Sequence, residues 1–227
     1  MEPGAKPFDF GLKADPEPFE KLIADGYEVN LSDCLREGWE IFRSRAGEFM
    51  AYTLIIALVT GMLSQLDGIG SLLSSLISAP LYAGYFVYLL MLFEGRDVRF
   101  GDFFKGFDYF LPLLFAGFVS GFLVLVGTLL LILPGIYLAV GYFFTTMLIV
   151  DYRMDFWQAM ETSRKIVTKN WFSIFVFALV LFALNVLGGL ALLIGLFVTV
   201  PLSFCAAAVA YRDIVGLHSG AQKTEAK

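Results

Sequence analysis

The sequence is poor in the residues from which most active sites are built. Its one histidine, His218, stands in the polar C-terminal tail, so no His-based metal cluster or catalytic triad can be assembled. There are two cysteines. Cys34 is expected in a cytoplasmic segment and Cys205 inside the last hydrophobic stretch, which argues against a disulfide and for two small apolar packing residues. Charge is scarce as well, at 16% of residues against roughly 25% in soluble domains. No glycine-rich phosphate loop, zinc-ligand spacing or nucleophile elbow occurs, so no cofactor and no enzymatic activity are expected. A net charge of −5 in an apolar chain likewise argues against nucleic-acid binding.

Long hydrophobic runs stand in their place. Apolar residues make up 58% of the 227, the mean hydropathy is +0.75, and there is room for six spans of about 20 residues. The basic residues are confined to four segments: Lys6, Lys13, Lys21, Arg36, Arg43 and Arg45; Arg96, Arg99 and Lys105; Arg153, Arg164, Lys165 and Lys169; Arg212, Lys223 and Lys227. Between them, the connections near Asp67-Gly68, Leu133-Pro134-Gly135 and Gly188-Gly189 carry no positive charge. Because Lys and Arg near span ends are retained in the cytoplasm, this alternation predicts a multi-pass protein with both termini cytoplasmic. The localisation expected is the bacterial inner (plasma) membrane. Met1 to Phe10 contain no apolar run, so the first span is expected to direct insertion.

Residues 1–28 hold seven acids and three lysines, a net charge of −4, and read as an acidic flexible N-terminal tail. Two roles stay open for it: a solvated leader, or a short motif at Phe8-Asp9-Phe10 or Phe19 to Ile23 that docks on a protein partner or on the chain's own cytoplasmic face. Residues 29–216 are expected to form the six-span membrane domain and 217–227 a polar C-terminal tail.

Along the domain, Leu31, Leu35, Trp39 and Phe42 recur at helical spacing opposite Arg36, Glu37, Glu40 and Arg43, predicting an amphipathic helix over 31–47 capped by Asn30 or Ser32. Spans follow at 48–66 and 69–93, the second containing Pro80. A second polar stretch, 94–109, places Phe103, Phe104, Phe107 and Tyr109 around Lys105. Span three is expected over 110–132, an outer turn at Pro134-Gly135, and over 136–150 a short span four that either borrows the turn or sits where the bilayer thins. Asp155 and Gln158 form a capping-box pattern opening a third amphipathic segment with Phe156, Met160, Ser163 and Val167 on one face. Spans five and six are expected over 171–187 and 190–211, the last containing Pro201.

The fold class is thus all-α and polytopic, six transmembrane helices as three hairpins, each preceded by a cytoplasmic amphipathic segment. The intervals from Asp33 to Pro80 and from Asp155 to Pro201 are 47 and 46 residues, and Gly84-Tyr85-Phe86 is echoed by Gly141-Tyr142-Phe143. These point to an internal triplication, which other six-helix proteins could mimic by chance. Paired spans would place the units in the same membrane orientation, unlike the inverted repeats of many carriers.

The hydrocarbon region is nearly devoid of ionisable groups, which argues against a proton-coupled pump or an intramembrane protease. Asn185 is the one strongly polar residue within a span, a candidate for an interhelical hydrogen bond or a ligand contact. Gly117 and Gly121 offer a small-residue surface for close helix approach. Near the cytoplasmic ends, Arg43, Arg45, Arg96, Arg99, Lys105, Arg164, Lys165 and Lys169 stand among Trp39, Phe100, Trp157 and Trp171. They are candidate contacts for anionic lipid headgroups or a partner's acidic surface; the same pattern also serves as an ordinary topology signal, and interleaved acids offer local partners.

Leu131-Ile-Leu-Pro-Gly-Ile-Tyr137, Met147-Leu-Ile-Val-Asp151, Ala159-Met-Glu-Thr-Ser163, Lys169-Asn-Trp171 and the stretch from Val200-Pro-Leu to Tyr211-Arg-Asp213 resemble a broad bacterial and archaeal group of integral membrane proteins of unassigned function. That group is related to the membrane domain attached to some glycerophosphodiester phosphodiesterases. The resemblance covers about residues 31–216 and implies a six-span membrane domain. The shared motifs are helix ends and turns, so it brings no catalytic residues. The function expected is a non-enzymatic scaffold, accessory or lipid-interacting membrane protein, with membrane lipids and a protein held by the N-terminal tail as partners. The alternative is a small transporter or channel for a lipid-like or neutral solute.

Overall fold

The computed structural model describes residues 14–66, 69–191 and 193–218. Among them the secondary structure is helical, in the order α1 (Glu17–Asp25), α2 (Leu31–Ser44), α3 (Ala46–Leu63), α4 (Ile69–Phe93), a 3-10 helix (Phe100–Tyr109), α5 (Phe110–Leu130), α6 (Ile132–Gly141), α7 (Thr145–Tyr152), α8 (Phe156–Lys169), α9 (Trp171–Leu190) and α10 (Leu196–Val215). Among the described residues, six stretches are long and apolar enough to cross a membrane: Ala46–Leu63, Leu73–Phe93, Phe100–Leu130, Ile132–Tyr152, Trp171–Leu190 and Leu196–Val215. The chain is a multi-pass membrane protein by this measure.

Local chemistry sets the ends of the polar helices. Asn30 caps α2, its side chain accepting from the Asp33 amide, and Asp155 caps α8, accepting from the Trp157 amide at 3.1 Å. Gly95, at φ +70°, turns the chain out of α4, and Arg153 adopts the left-handed conformation (φ 52°) that ends α7.

Two compact units are built from these elements. The first contains residues 14–29, 107–176 and 211–218 of the described chain. In it α5 runs against α6, with Gly127 close to the Gly135 backbone, and α8 packs along α6 and α7. Met147, Leu148, Ile149, Met154, Ala159, Ile166 and Val167 are all but fully buried. The second unit contains residues 30–106 and 177–210. Its centre is a set of buried rings, Phe49, Tyr52, Tyr85, Tyr88 and Phe103; Tyr88 stacks on Phe103 at 4.0 Å and Tyr52 does so at 4.4 Å. Each phenol has a partner, as a tyrosine in an apolar interior requires. Tyr52 donates to the Leu81 carbonyl at 2.7 Å, Tyr85 pairs with the Thr53 hydroxyl at 2.7 Å, and Tyr88 donates to Glu48 at 2.5 Å.

Several expectations are corrected. Span four is longer than expected and broken: α6 and α7 are separated by Tyr142–Phe144, and Pro134-Gly135 lies in the first turn of α6, where proline's missing N–H is harmless. The chain reverses one step earlier, at the extended Leu131 (φ −158°). Gly188-Gly189 belongs to the last turn of α9, and α10 starts at Leu196. Gln158 does not close a capping box, because its amide is engaged by Ala14. Residues 17–25 of the expected flexible tail form a helix, with Phe19 4% exposed and edge-on to Tyr152 at 5.0 Å. Of the two roles left open for Phe19 to Ile23, the structure shows docking on the chain itself. Phe8-Asp9-Phe10, the Asp67-Gly68 turn and residues 219–227 lie outside the described residues.

Candidate functional site

Of the eight candidate basic residues, five pair with an acid two to four residues away. Arg45 donates to Glu48 at 3.1 Å and to the Tyr88 hydroxyl at 3.1 Å. Arg96 pairs with Glu94 at 2.5 Å. Lys105 pairs with Asp102 at 2.6 Å, and the other Asp102 oxygen accepts from the Arg99 backbone N–H at 2.7 Å. Arg164 grips Glu161 with two bonds, at 2.9 and 2.7 Å, and Lys165 approaches the same carboxylate at 3.9 Å. Lys169 reaches the Ala24 carbonyl at 3.5 Å. Arg43 is exposed in the last turn of α2. The Glu161 carboxyl is held below its ordinary value, chiefly by the Arg164 hydrogen bonds. Exposed pairs of this kind contribute little to stability, but they leave only a small net field for an anionic ligand.

Each amphipathic element packs against a span beside a glycine, and two of the three do so at a point of close backbone approach. A Cβ on Gly106 of the 3-10 helix would lie 2.8 Å from the Gly84 nitrogen of α4 and closer still to the Pro80 carbonyl oxygen. On Gly38 of α2 it would lie 2.7 Å from the Ala206 nitrogen of α10. On Gly141 of α6 it would meet Arg164 of α8 at 3.5 Å. Side chains at the first two sites would force the elements apart. Outward, the same segments present exposed rings: Trp39 at 44% and Trp157 at 57%.

Ser163 holds the break in span four together, a role the sequence does not reveal beyond its place on a buried face. It is fully buried; its hydroxyl accepts from the Phe144 amide at 3.1 Å and donates to the Gly141 carbonyl at 2.8 Å. Both groups lose helical partners where span four breaks, so one hydroxyl bridges the gap. Thr145, beside it, keeps a buried hydroxyl without a partner among the described residues. Nothing in the spacing of Ser163 separates it from other small residues on α8; the signal exists only once α8 lies beside the break.

Asn185 is an interhelical contact. Its amide nitrogen donates to Leu181 O and to the Ser203 hydroxyl of α10, both at 2.8 Å, while its carbonyl oxygen and the Thr199 hydroxyl are buried without partners among the described residues. Gly117 and Gly121, by contrast, have open space around them within the chain. No group of three or more His, Cys, Asp or Glu residues that could hold a metal ion occurs among the described residues. In comparisons with known proteins the chain matches no family model, no curated protein and no solved structure.

Proposed function

We propose that this protein is a non-enzymatic membrane scaffold, accessory subunit or lipid-interacting factor whose cytoplasmic segments, α2, the 3-10 helix and α8, together with its acidic N-terminal segment, make its contacts with headgroups and with a protein partner. The observation that carries this reading is the filling of the interior. Rings occupy the centre of the second unit, all five at 0% exposure, and their phenol hydroxyls are bonded to Leu81 O, Thr53 and Glu48. A path for a solute needs a hydrated or polar lining, which these rings exclude.

The reading extends to topology. Both termini face the cytoplasm of a bacterial-type inner membrane, and the spans form three hairpins descended from one repeated unit. A shared contact supports the repetition: in each case an amphipathic segment is pressed on the second span of a proposed hairpin, the 3-10 helix on α4, α8 on α6, and α2 on α10. The same placement makes the lipid contacts selective. With Arg45, Arg164 and Lys165 tied to acids, Arg43 and the exposed tryptophans are the groups best placed for headgroups.

A pull-down from native membranes, with and without residues 1–28, tests the scaffold. Discrete partners that depend on the segment support it; an identical, partner-free result from both forms overturns it. Replacing Arg43, Arg45, Arg164 and Lys165 with Gln and measuring co-purified anionic lipid tests the headgroup contact, which unchanged lipid rejects.

One observation favours the second reading, a small transporter or channel for a lipid-like or neutral solute: span four is discontinuous, as helices lining transport sites often are. Thr145→Cys labelled with a membrane-impermeant thiol reagent decides between them. Rapid labelling indicates a hydrated path, and protection indicates a packed break.

A further inference from the structure

The segment from Ala14 to Val29 is attached to α8 at both of that helix's ends. At the first end, the Ala14 amide donates to Gln158 Oε1 at 2.9 Å and Gln158 Nε2 donates to the Ala14 carbonyl at 2.7 Å. At the other, the Tyr27 hydroxyl donates to the Ile166 carbonyl at 2.9 Å and Asn170 Nδ2 to the Tyr27 carbonyl at 3.2 Å. Ile166 is one of the last four residues of α8, whose carbonyls have no amide ahead of them within the helix, so Tyr27 supplies a donor that the helix end lacks. Gly26, at φ +79°, provides the bend that brings Tyr27 from the end of α1 onto α8.

Between these attachments only Phe19 is buried, and Glu17, Glu20, Lys21 and Asp25 are exposed. A segment with one apolar anchor and a few bonds at its ends belongs to the part of a structure that opens locally while the rest stays folded.

We propose that residues 14–29 are a releasable strap on α8. This rests on the scaffold reading and names its regulation: a partner that takes the N-terminal segment must lift it from α8, so partner binding and exposure of α8 are linked, each favouring the other. Docked, the strap caps α8 and hides Gln158 and the Phe19 seat beside Tyr152. Released, it frees an amphipathic helix and uncovers the surface that held it.

Trypsin cleavage after Lys21 in the full chain, reconstituted in nanodiscs, reads the release, because a docked helix must open before the protease can take it. The wild-type protein is expected to be cut 10- to 100-fold more slowly than a synthetic 14–29 peptide, at a rate proportional to trypsin concentration. Phe19→Ala and Gln158→Ala should move the rate at least tenfold toward that of the peptide. Tyr27→Phe, which removes one hydroxyl and keeps the ring, should give a smaller increase and guards against variants that misfold. Wild-type cleavage at the peptide rate overturns docking; no detectable cleavage short of global unfolding overturns release; unchanged rates in all three variants overturn the named anchors. None of these outcomes depends on whether a partner is found in the pull-down.

Discussion

Gly84 gives the sharpest test of how the second unit is held together. A Cβ there would sit 3.1 Å from the carbonyl carbon of Phe103, closer still to its oxygen, and against the Tyr52 hydroxyl. Neither neighbour can yield. Phe103 O is backbone, and Tyr52 is buried, stacked on Phe103 at 4.4 Å and bonded to Leu81 O at 2.7 Å. Gly84→Ala therefore overpacks the contact, at about 1–3 kcal/mol, and strands a buried phenol, at about 1–3 kcal/mol more. Against this stands the helix-propensity gain of alanine over glycine, about 1 kcal/mol. The net expectation is a destabilisation of about 3 kcal/mol. Gly61→Ala in α3 and Gly117→Ala in α5 are the controls, since a Cβ at either meets nothing within 4 Å and should leave only the propensity gain. Unfolding in mixed micelles, followed by tryptophan fluorescence, measures all three. If Gly84→Ala is as stable as the wild type, or Gly61→Ala is equally damaging, the close approach of the 3-10 helix to α4 is wrong.

Ser163→Ala removes the bridge across the break in span four and leaves the Phe144 amide and Gly141 carbonyl buried without it, a loss of about 2–6 kcal/mol at 1–3 per group, to be read in the same unfolding assay. Asn185→Leu should change stability by less than about 1 kcal/mol, because losing the bond to Ser203 is offset by removing an unpartnered carbonyl oxygen; a larger loss would assign Asn185 a role beyond this contact. Burial pushes the Tyr27 phenol from 10.0 up to about 12. A raised folded value means docking is fully favoured below pH 10 and lost as pH rises toward 12, so the anisotropy of a fluorophore on Glu20→Cys should fall over that window in the wild type and less in Tyr27→Phe. Glu161 is shifted the other way, so its pairing with Arg164 is intact at neutral pH and is lost only as pH falls below the ordinary carboxylate range; Glu161→Gln should remove that part of the acid dependence of unfolding.

The N-terminal segment shows where reading a sequence stops. Phe19, Leu22 and Ile23 stand at helical spacing but amid acids, and nothing along the chain says that a seat beside Tyr152 awaits Phe19. The basic rim is similar. Arg164 and Glu161 are three apart, so an ion pair was foreseeable in kind, whereas Arg45 meeting Tyr88 required α3 and α4 to be placed side by side. Span four misled for a different reason. Its hydropathy is continuous from Ile132 to Tyr152, and a period computed along a chain cannot register a gap that a hydroxyl on another helix makes tolerable.

What the sequence determined by itself is the number of membrane-crossing stretches and their approximate limits. That information is one-dimensional, because the length of an apolar run and the positions of polar punctuation are set by the bilayer's thickness and its intolerance of charge. Why Gly38, Gly84 and Gly106 have no side chain, where Phe19 finds its seat and how Ser163 closes a broken helix were decided only by tertiary packing. Those properties belong to pairs of residues far apart along the chain, and only the folded arrangement brings the members of each pair within bonding distance.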